Sequence, residues 1–184
     1  MNICIYGASS DRIDESYKKA AWELGRELGR ASFGMVFGGG ATGLMGAAAR
    51  GLRSVGDECV LIGVAPRFFD RPGVLFEECS EMIWTETMRE RKKKMEELSD
   101  GFVVLPGGIG TFEEFFEILT LKQLNQHNKP IWIYNVNGYY EQIRKLLQNS
   151  VEEHFMTESQ MALCRFCESA EEIIDYCARR ECER

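Results

Sequence analysis

At 184 residues, 45% of them hydrophobic, the chain is long enough to bury a core and falls within the ~100–200 residues of one domain, so residues 1–184 are expected to form a single unit. The 22 Lys and Arg against 29 Asp and Glu give a formal charge of -7, the wrong sign for a protein that tracks a polyanionic backbone, so nucleic acid is not an expected partner. No apolar run approaches the ~20 residues of a membrane span, and seven scattered cysteines after a start without a basic-then-apolar leader fit reduced thiols in a cytoplasmic protein.

In chain order, short apolar runs predict strands at Ile3–Tyr6, Met35–Phe37, Val60–Val64, Met82–Trp84, Phe102–Leu105 and Ile131–Tyr134, with a short last one near Leu163–Phe166. Helical patterns fall between them, near 14–31, 43–55, 86–99, 112–125, 138–150 and 169–180. This alternation predicts an α/β fold: a doubly wound, mainly parallel sheet of six to seven strands with helices on both faces. Cys164-Arg-Phe-Cys167 has metal or redox spacing, but it lacks a second pair and the chain has only His127 and His154, so packing is the better reading and no metal site is expected.

Two glycine loops carry the first functional signal. Gly38-Gly39-Gly40-Ala41-Thr42-Gly43 follows the second strand and opens a helix, and Pro106-Gly107-Gly108-Ile109-Gly110-Thr111 follows the fifth and does the same. Glycine lets the backbone approach a ligand, and the N–H groups and positive dipole end of a helix attract an anion. In a parallel sheet with right-handed crossovers both loops emerge on one edge, where they can converge on one phosphate. Gly38-x-Gly40-x-x-Gly43 also matches the dinucleotide fingerprint, but that motif normally follows the first strand, and Asp57-Glu58 come early for its ribose-binding carboxylate. Neither loop ends in Gly-Lys-Ser/Thr, so a P-loop NTPase is not supported.

In the segment from Thr87 to Leu98, Lys93 and Lys94 read as surface, whereas Arg91 shares a helical stripe with Met88, Met95 and Leu98 and must face inward. A buried guanidinium needs either a ligand or a carboxylate partner. Thr111-Phe112-Glu113-Glu114 reads as a capping box, which accounts for Thr111 and Glu114 locally but not for a carboxylate beside a phosphate loop.

Taken together, Gly38-Gly39-Gly40-x-x-Gly43-Leu44-Met45-Gly46, Met88-x-x-Arg91-Lys92 and Pro106-Gly107-Gly108-x-Gly110-Thr111-x-x-Glu114, with Tyr6-Gly7-Ala8-Ser9-Ser10 at the exit of the first strand, resemble the LONELY GUY family. Its members are cytokinin riboside 5′-monophosphate phosphoribohydrolases, labelled lysine decarboxylases in older usage. The resemblance runs from the first strand to about residue 155, and it implies a Rossmann-like fold. It also implies catalytic roles for Arg91 and Glu114, and substrate contacts from Ser9, from Gly39, Gly40 and Gly43, and from Met88, Arg89 and Lys92. On the second loop it implies contacts from Gly107, Gly108, Gly110 and Thr111, and from Thr120 farther along the helix that follows. A homodimer whose partner helps close the site is implied too, acting on a nucleoside monophosphate and requiring no cofactor. Two departures stand out: Arg89 where the family often has His, and Gly73 where it often has Glu.

The chemistry suits these residue types, because loss of the base builds positive charge on the ribose that a carboxylate can stabilise. Nothing around Lys18, Lys92, Lys122, Lys129 or Lys145 suggests a pyridoxal-phosphate lysine, which speaks against decarboxylation. The main alternative is a non-catalytic nucleotide or molybdenum-cofactor-type carrier on the same loops. A carrier would need Arg91 far more than Glu114. A dinucleotide-dependent oxidoreductase ranks third.

Overall fold

A computed structural model describes the backbone of residues 1–182 and the side chains of residues 1–179. Seven strands, β1 (Asn2–Tyr6), β2 (Gly34–Phe37), β3 (Leu61–Pro66), β4 (Glu81–Thr85), β5 (Gly101–Val104), β6 (Ile131–Tyr134) and β7 (Arg165–Cys167), form one sheet in the order β4-β3-β2-β1-β5-β6-β7. Every pairing is parallel. The helices are α1 (Glu15–Arg30), α2 (Gly43–Arg53), α3 (Met88–Glu97), α4 (Ile109–Gln123), α5 (Glu141–Glu152), α6 (Glu158–Met161) and α7 (Ala170–Cys182). The result is the parallel α/β sheet expected from the alternating pattern and the Rossmann-like fold implied by the resemblance.

Side chains alternate along each strand, and this assigns the two helical layers. Ile3, Ile5, Met35, Phe37, Val103 and Trp132 pack against buried residues of α1, α2 and α7. Cys4, Tyr6, Val36, Phe102, Val104 and Ile133 pack on the other face against α3, α4 and α5. Cys164 and Cys167 fall in opposite layers, so the sheet itself separates the C-x-x-C pair and the two thiols serve packing. Burial pushes them up to about 11 and about 12. Cys182 lies outside the described side chains.

Several local expectations are corrected. The predicted capping box at Thr111 and Glu114 does not form: α4 begins at Ile109 after an N-cap at Gly108, and Thr111 and Glu114 are already inside the helix. A capping box does form at Thr157 and Gln160, where it starts α6, a short helix that hydrophobic periodicity missed. Helix α5 starts at Glu141, not 138, because Asn137 and Gly138 both take positive φ and end a 3-10 turn at Val136–Gly138. The last strand begins two residues later than expected, at Arg165.

Candidate active site

From β1 the chain winds outward through β2, β3 and β4, and from β5 it winds the other way through β6 and β7. The two directions part between β1 and β5, the point where an open α/β sheet forms its ligand crevice. A backbone hydrogen bond from Ala8 N to the Pro106 carbonyl, 3.0 Å long, ties the loops after these two strands together. Above them lies a cleft of about 590 Å³. Loops or helix starts after all five strands from β1 to β5 contribute to its walls, including Ser9, Gly38, Gly40, Phe69, Leu75, Met88, Gly108 and Thr111. Both glycine loops therefore open onto one space.

At the edge of this cleft Arg91 and Glu114 form an ion pair with 2.7 Å between Nη1 and Oε1, their side chains only 6% and 9% exposed. Thr87 caps α3 by accepting the N–H of Glu90, which turns Arg91 and Met95 toward the sheet one turn later. Arg91 Nε also donates to the Val64 carbonyl at 3.2 Å, so the guanidinium is anchored at two points. Of the two partners left open for a buried arginine, a carboxylate is present and the ligand cleft adjoins it. Burial raises the Glu114 carboxyl above the ordinary carboxylate range, and the neighbouring Arg91 charge offsets this only in part. Such a group sits closer to neutral pH than a free glutamate, where acid–base and charge-stabilising chemistry is most effective.

The two helix starts facing the cleft are not equivalent. At α2, Gly43 N donates to the Asp11 carboxylate at 2.8 Å and Leu44 N to the Ala8 carbonyl at 2.8 Å, so the protein already supplies the acceptors. Gly43 holds φ +64, and a side chain there would run into the Ala8 carbonyl. At α4 no side chain caps the first turn, and Gly108, Gly110 and Thr111 line the cleft. The α4 start thus keeps its first turn without a side-chain cap at the cleft, a geometry that suits an anion, while the α2 loop forms a wall.

Residues 45–177 match the family described as "Possible lysine decarboxylase". The chain is 37% identical over 183 residues to the cytokinin riboside 5′-monophosphate phosphoribohydrolase LOG1 of Arabidopsis thaliana, covering 97% of this chain and 85% of that protein. It is 35% identical over 172 residues to the probable enzyme of the same type, LOGL3, of Oryza sativa subsp. japonica, covering 94% and 81%. The chain belongs to the LONELY GUY (LOG) family. Among solved structures, the Moco carrier protein from Chlamydomonas reinhardtii superposes with a TM-score of 0.75 at 20% identity over 100% of this chain and 98% of that one, a likeness of fold.

In this LOG-family protein the cleft brings together Ser9, Gly40, Met88, Arg91, Gly108, Gly110, Thr111 and Glu114. Gly39, Gly43, Arg89, Lys92, Gly107 and Thr120 are not among its lining residues. Lys92 instead bridges Glu113 and Glu117 across the α3–α4 contact; burial alone would lower its ammonium, and the two carboxylates raise it. Thr120 spends its hydroxyl on the Phe116 carbonyl, 2.7 Å away, on the exposed side of α4. Gly39 accepts the N–H of Phe76, which fastens the segment after β3 over the first glycine loop.

Of the two departures from the family pattern, Arg89 is exposed at the start of α3 and Gly73 is exposed at φ +75, with Val74 beside it on the cleft wall. Sequence reasoning missed Asp11 and the apolar wall of Met45, Phe69, Val74 and Leu75. Asp11 follows the Gly-Ala-Ser-Ser exit of β1 directly, a weak signal for a cap on a helix 32 residues away. The β3–β4 segment has no periodicity from which its inward residues could be read.

Proposed function

We propose that the protein is a phosphoribohydrolase that cuts the N-glycosidic bond of a purine nucleoside 5′-monophosphate, of the cytokinin or adenosine type. The observation that carries this is the buried Arg91–Glu114 pair beside a cleft whose one open helix start lies next to it. The 5′-phosphate sits on the N–H groups of Gly107 to Thr111 at the α4 start, which also supply the favourable end of the helix dipole. The base extends toward Met45, Phe69, Val74, Leu75 and Met88, an apolar wall suited to a planar ring.

The ribose then lies over Arg91 and Glu114. As the bond between the anomeric carbon and the base nitrogen breaks, the sugar becomes cationic, and the Glu114 carboxylate stabilises it and orients water. The water oxygen joins the anomeric carbon and one proton ends on the departing base, giving free base and ribose 5-phosphate. Arg91 holds Glu114 in place and offers its remaining N–H groups to the sugar or phosphate. Ser9, Gly39, Gly40, Gly43, Arg89, Lys92 and Thr120 support this site from its rim or from behind it. The reaction as drawn calls on no metal or organic cofactor. Among the described residues no lysine lines the cleft, which speaks against a decarboxylase Schiff base.

The protein works in the cytoplasm as a homodimer on a small nucleotide, not on nucleic acid. Support for the dimer comes from Ile109, 83% exposed between two cleft-lining glycines, and from Phe116 on the same outer stripe of α4, apolar surface that a second copy would cover. No helix among the described residues is long and apolar enough to cross a membrane. A carrier role would leave the elevated Glu114 carboxyl without a task, so the hydrolytic reading is preferred.

The test is incubation with AMP, GMP, CMP and isopentenyladenosine monophosphate, followed by chromatography for free base and ribose 5-phosphate. Base release from a purine nucleotide is expected. Tight binding without release from any of the four would make the protein a carrier.

A further inference from the structure

Two adjacent tyrosines outside the cleft hold the loop that frames its anion cradle. Tyr140 Oη donates to the Leu105 carbonyl at 2.7 Å, and Tyr139 Oη donates to the Gly107 carbonyl at 2.7 Å. Between them, Ala8 N donates to the Pro106 carbonyl at 3.0 Å, and beyond them Phe112 N takes the Gly108 carbonyl at 3.0 Å. Four successive carbonyls from Leu105 to Gly108 are thus all engaged within the protein. A peptide unit is planar, and in its trans form the N–H points opposite to the carbonyl, so fixing these oxygens aims the N–H groups of Gly107, Gly108 and Ile109. Two of those three residues are glycines, whose peptides would otherwise rotate with little penalty.

The tyrosines are themselves held rigidly. Asn135 Oδ1 accepts the Tyr140 N–H at 2.7 Å, while its Nδ2 donates to Glu141 at 2.7 Å and to Glu168 at 3.1 Å. The rings of Tyr139 and Tyr140 meet edge to face at 5.1 Å, and Tyr17 of α1 meets Tyr139 edge-on at 6.0 Å. Tyr140 is buried, whereas Tyr139 is 41% exposed, and neither lines the cleft.

We propose that Tyr139 and Tyr140 are positioning residues for phosphate recognition, and that the Tyr139 hydroxyl sets the orientation of the Gly107–Gly108 peptide on which discrimination between a nucleotide and its unphosphorylated nucleoside depends. This rests on the reading of the α4 start as the phosphate cradle. Tyr139 is the informative position, since Tyr139→Phe removes one oxygen from a partly exposed ring and leaves the packing intact.

The experiment compares wild type and Tyr139→Phe for the KM and kcat of AMP hydrolysis, for binding of ribose 5-phosphate and AMP by calorimetry, and for competitive inhibition by adenosine. The expected result is a roughly 3–10-fold rise in KM for AMP and in the Kd of ribose 5-phosphate, the loss of about one hydrogen bond's contribution. The adenosine inhibition constant and kcat stay within a factor of about two, as for a lost contact that is uniform between ground and transition state. Unchanged phosphate affinity, or equal weakening of AMP and adenosine, overturns the proposal and leaves hydrolysis standing. If wild type binds AMP without cleaving it, the hydrolytic reading fails while the affinity comparison still decides the role of Tyr139. If wild type binds neither AMP nor ribose 5-phosphate, both fail.

Discussion

The guanidinium of Arg91 occupies the space in which a side chain at position 38 would begin: a Cβ on Gly38 would overlap Nη2. The first glycine loop therefore makes room for the arginine of α3, which in turn holds Glu114 of α4. Three segments distant in sequence meet at this one contact.

Gly38→Ala should therefore act as a mutation of Arg91. We expect kcat/KM to fall ~10²-fold, because a displacement of about 1 Å in a positioning group has that effect. Overpacking should cost about 1–3 kcal/mol, read by urea denaturation.

Arg91→Lys and Arg91→Ala should separate chemistry from folding. Lysine keeps the charge but lacks the fork, so activity should drop steeply, roughly 10²-fold, with the fold retained. Alanine strands a buried carboxylate and should cost about 3–5 kcal/mol at neutral pH. Equal stability of the two variants would show that the pair is not coupled.

The pH dependence follows from Glu114. Its carboxyl is raised by burial, so the acid limb of kcat/KM should lie above the ordinary glutamate value of 4.5, with activity lost as pH falls through it. Stability runs in the opposite direction. Between 4.5 and the folded-state value the native protein binds a proton that the unfolded chain has released, so the contribution of Glu114 to stability shrinks as pH rises across that window. A pH–rate profile and pH-dependent urea melts measure the two.

Lys92→Met should move that acid limb upward. Lys92 neutralises Glu113 and Glu117; without it Glu114 faces the uncompensated Glu113 carboxylate, with Arg91 its remaining cation and the buried Cys4 and Tyr6 uncharged beneath it. The stability loss should be about 1 kcal/mol or less, since both carboxylates of the bridge are substantially exposed. A direct nucleotide contact by Lys92 would instead raise KM with the pH profile unmoved.

The sheet, the two loops and the inward arginine were legible in the sequence because each depends on a local rule: apolar runs of strand length, glycines between strand and helix, and a charged residue on an apolar stripe. What local rules could not show was partnership across the chain. Thr111 and Glu114 satisfy the spacing of a capping box, yet Glu114 turns to Arg91, 23 residues earlier, and the helix starts at Ile109 instead. Asp11 fills the α2 start, so the two glycine loops, alike in sequence, differ in what they leave open. Tyr139 and Tyr140 carry no motif of their own, and their bearing on the Pro106 loop exists only once β5 and β6 lie side by side.

The most direct test is Glu114→Gln assayed in parallel for base release from isopentenyladenosine monophosphate or AMP and for binding of the same nucleotide by calorimetry. We predict that wild type releases base and ribose 5-phosphate, while the variant binds with an affinity within a few fold and releases none. Full turnover by the variant would contradict the assignment of Glu114 and, with it, this account of the site.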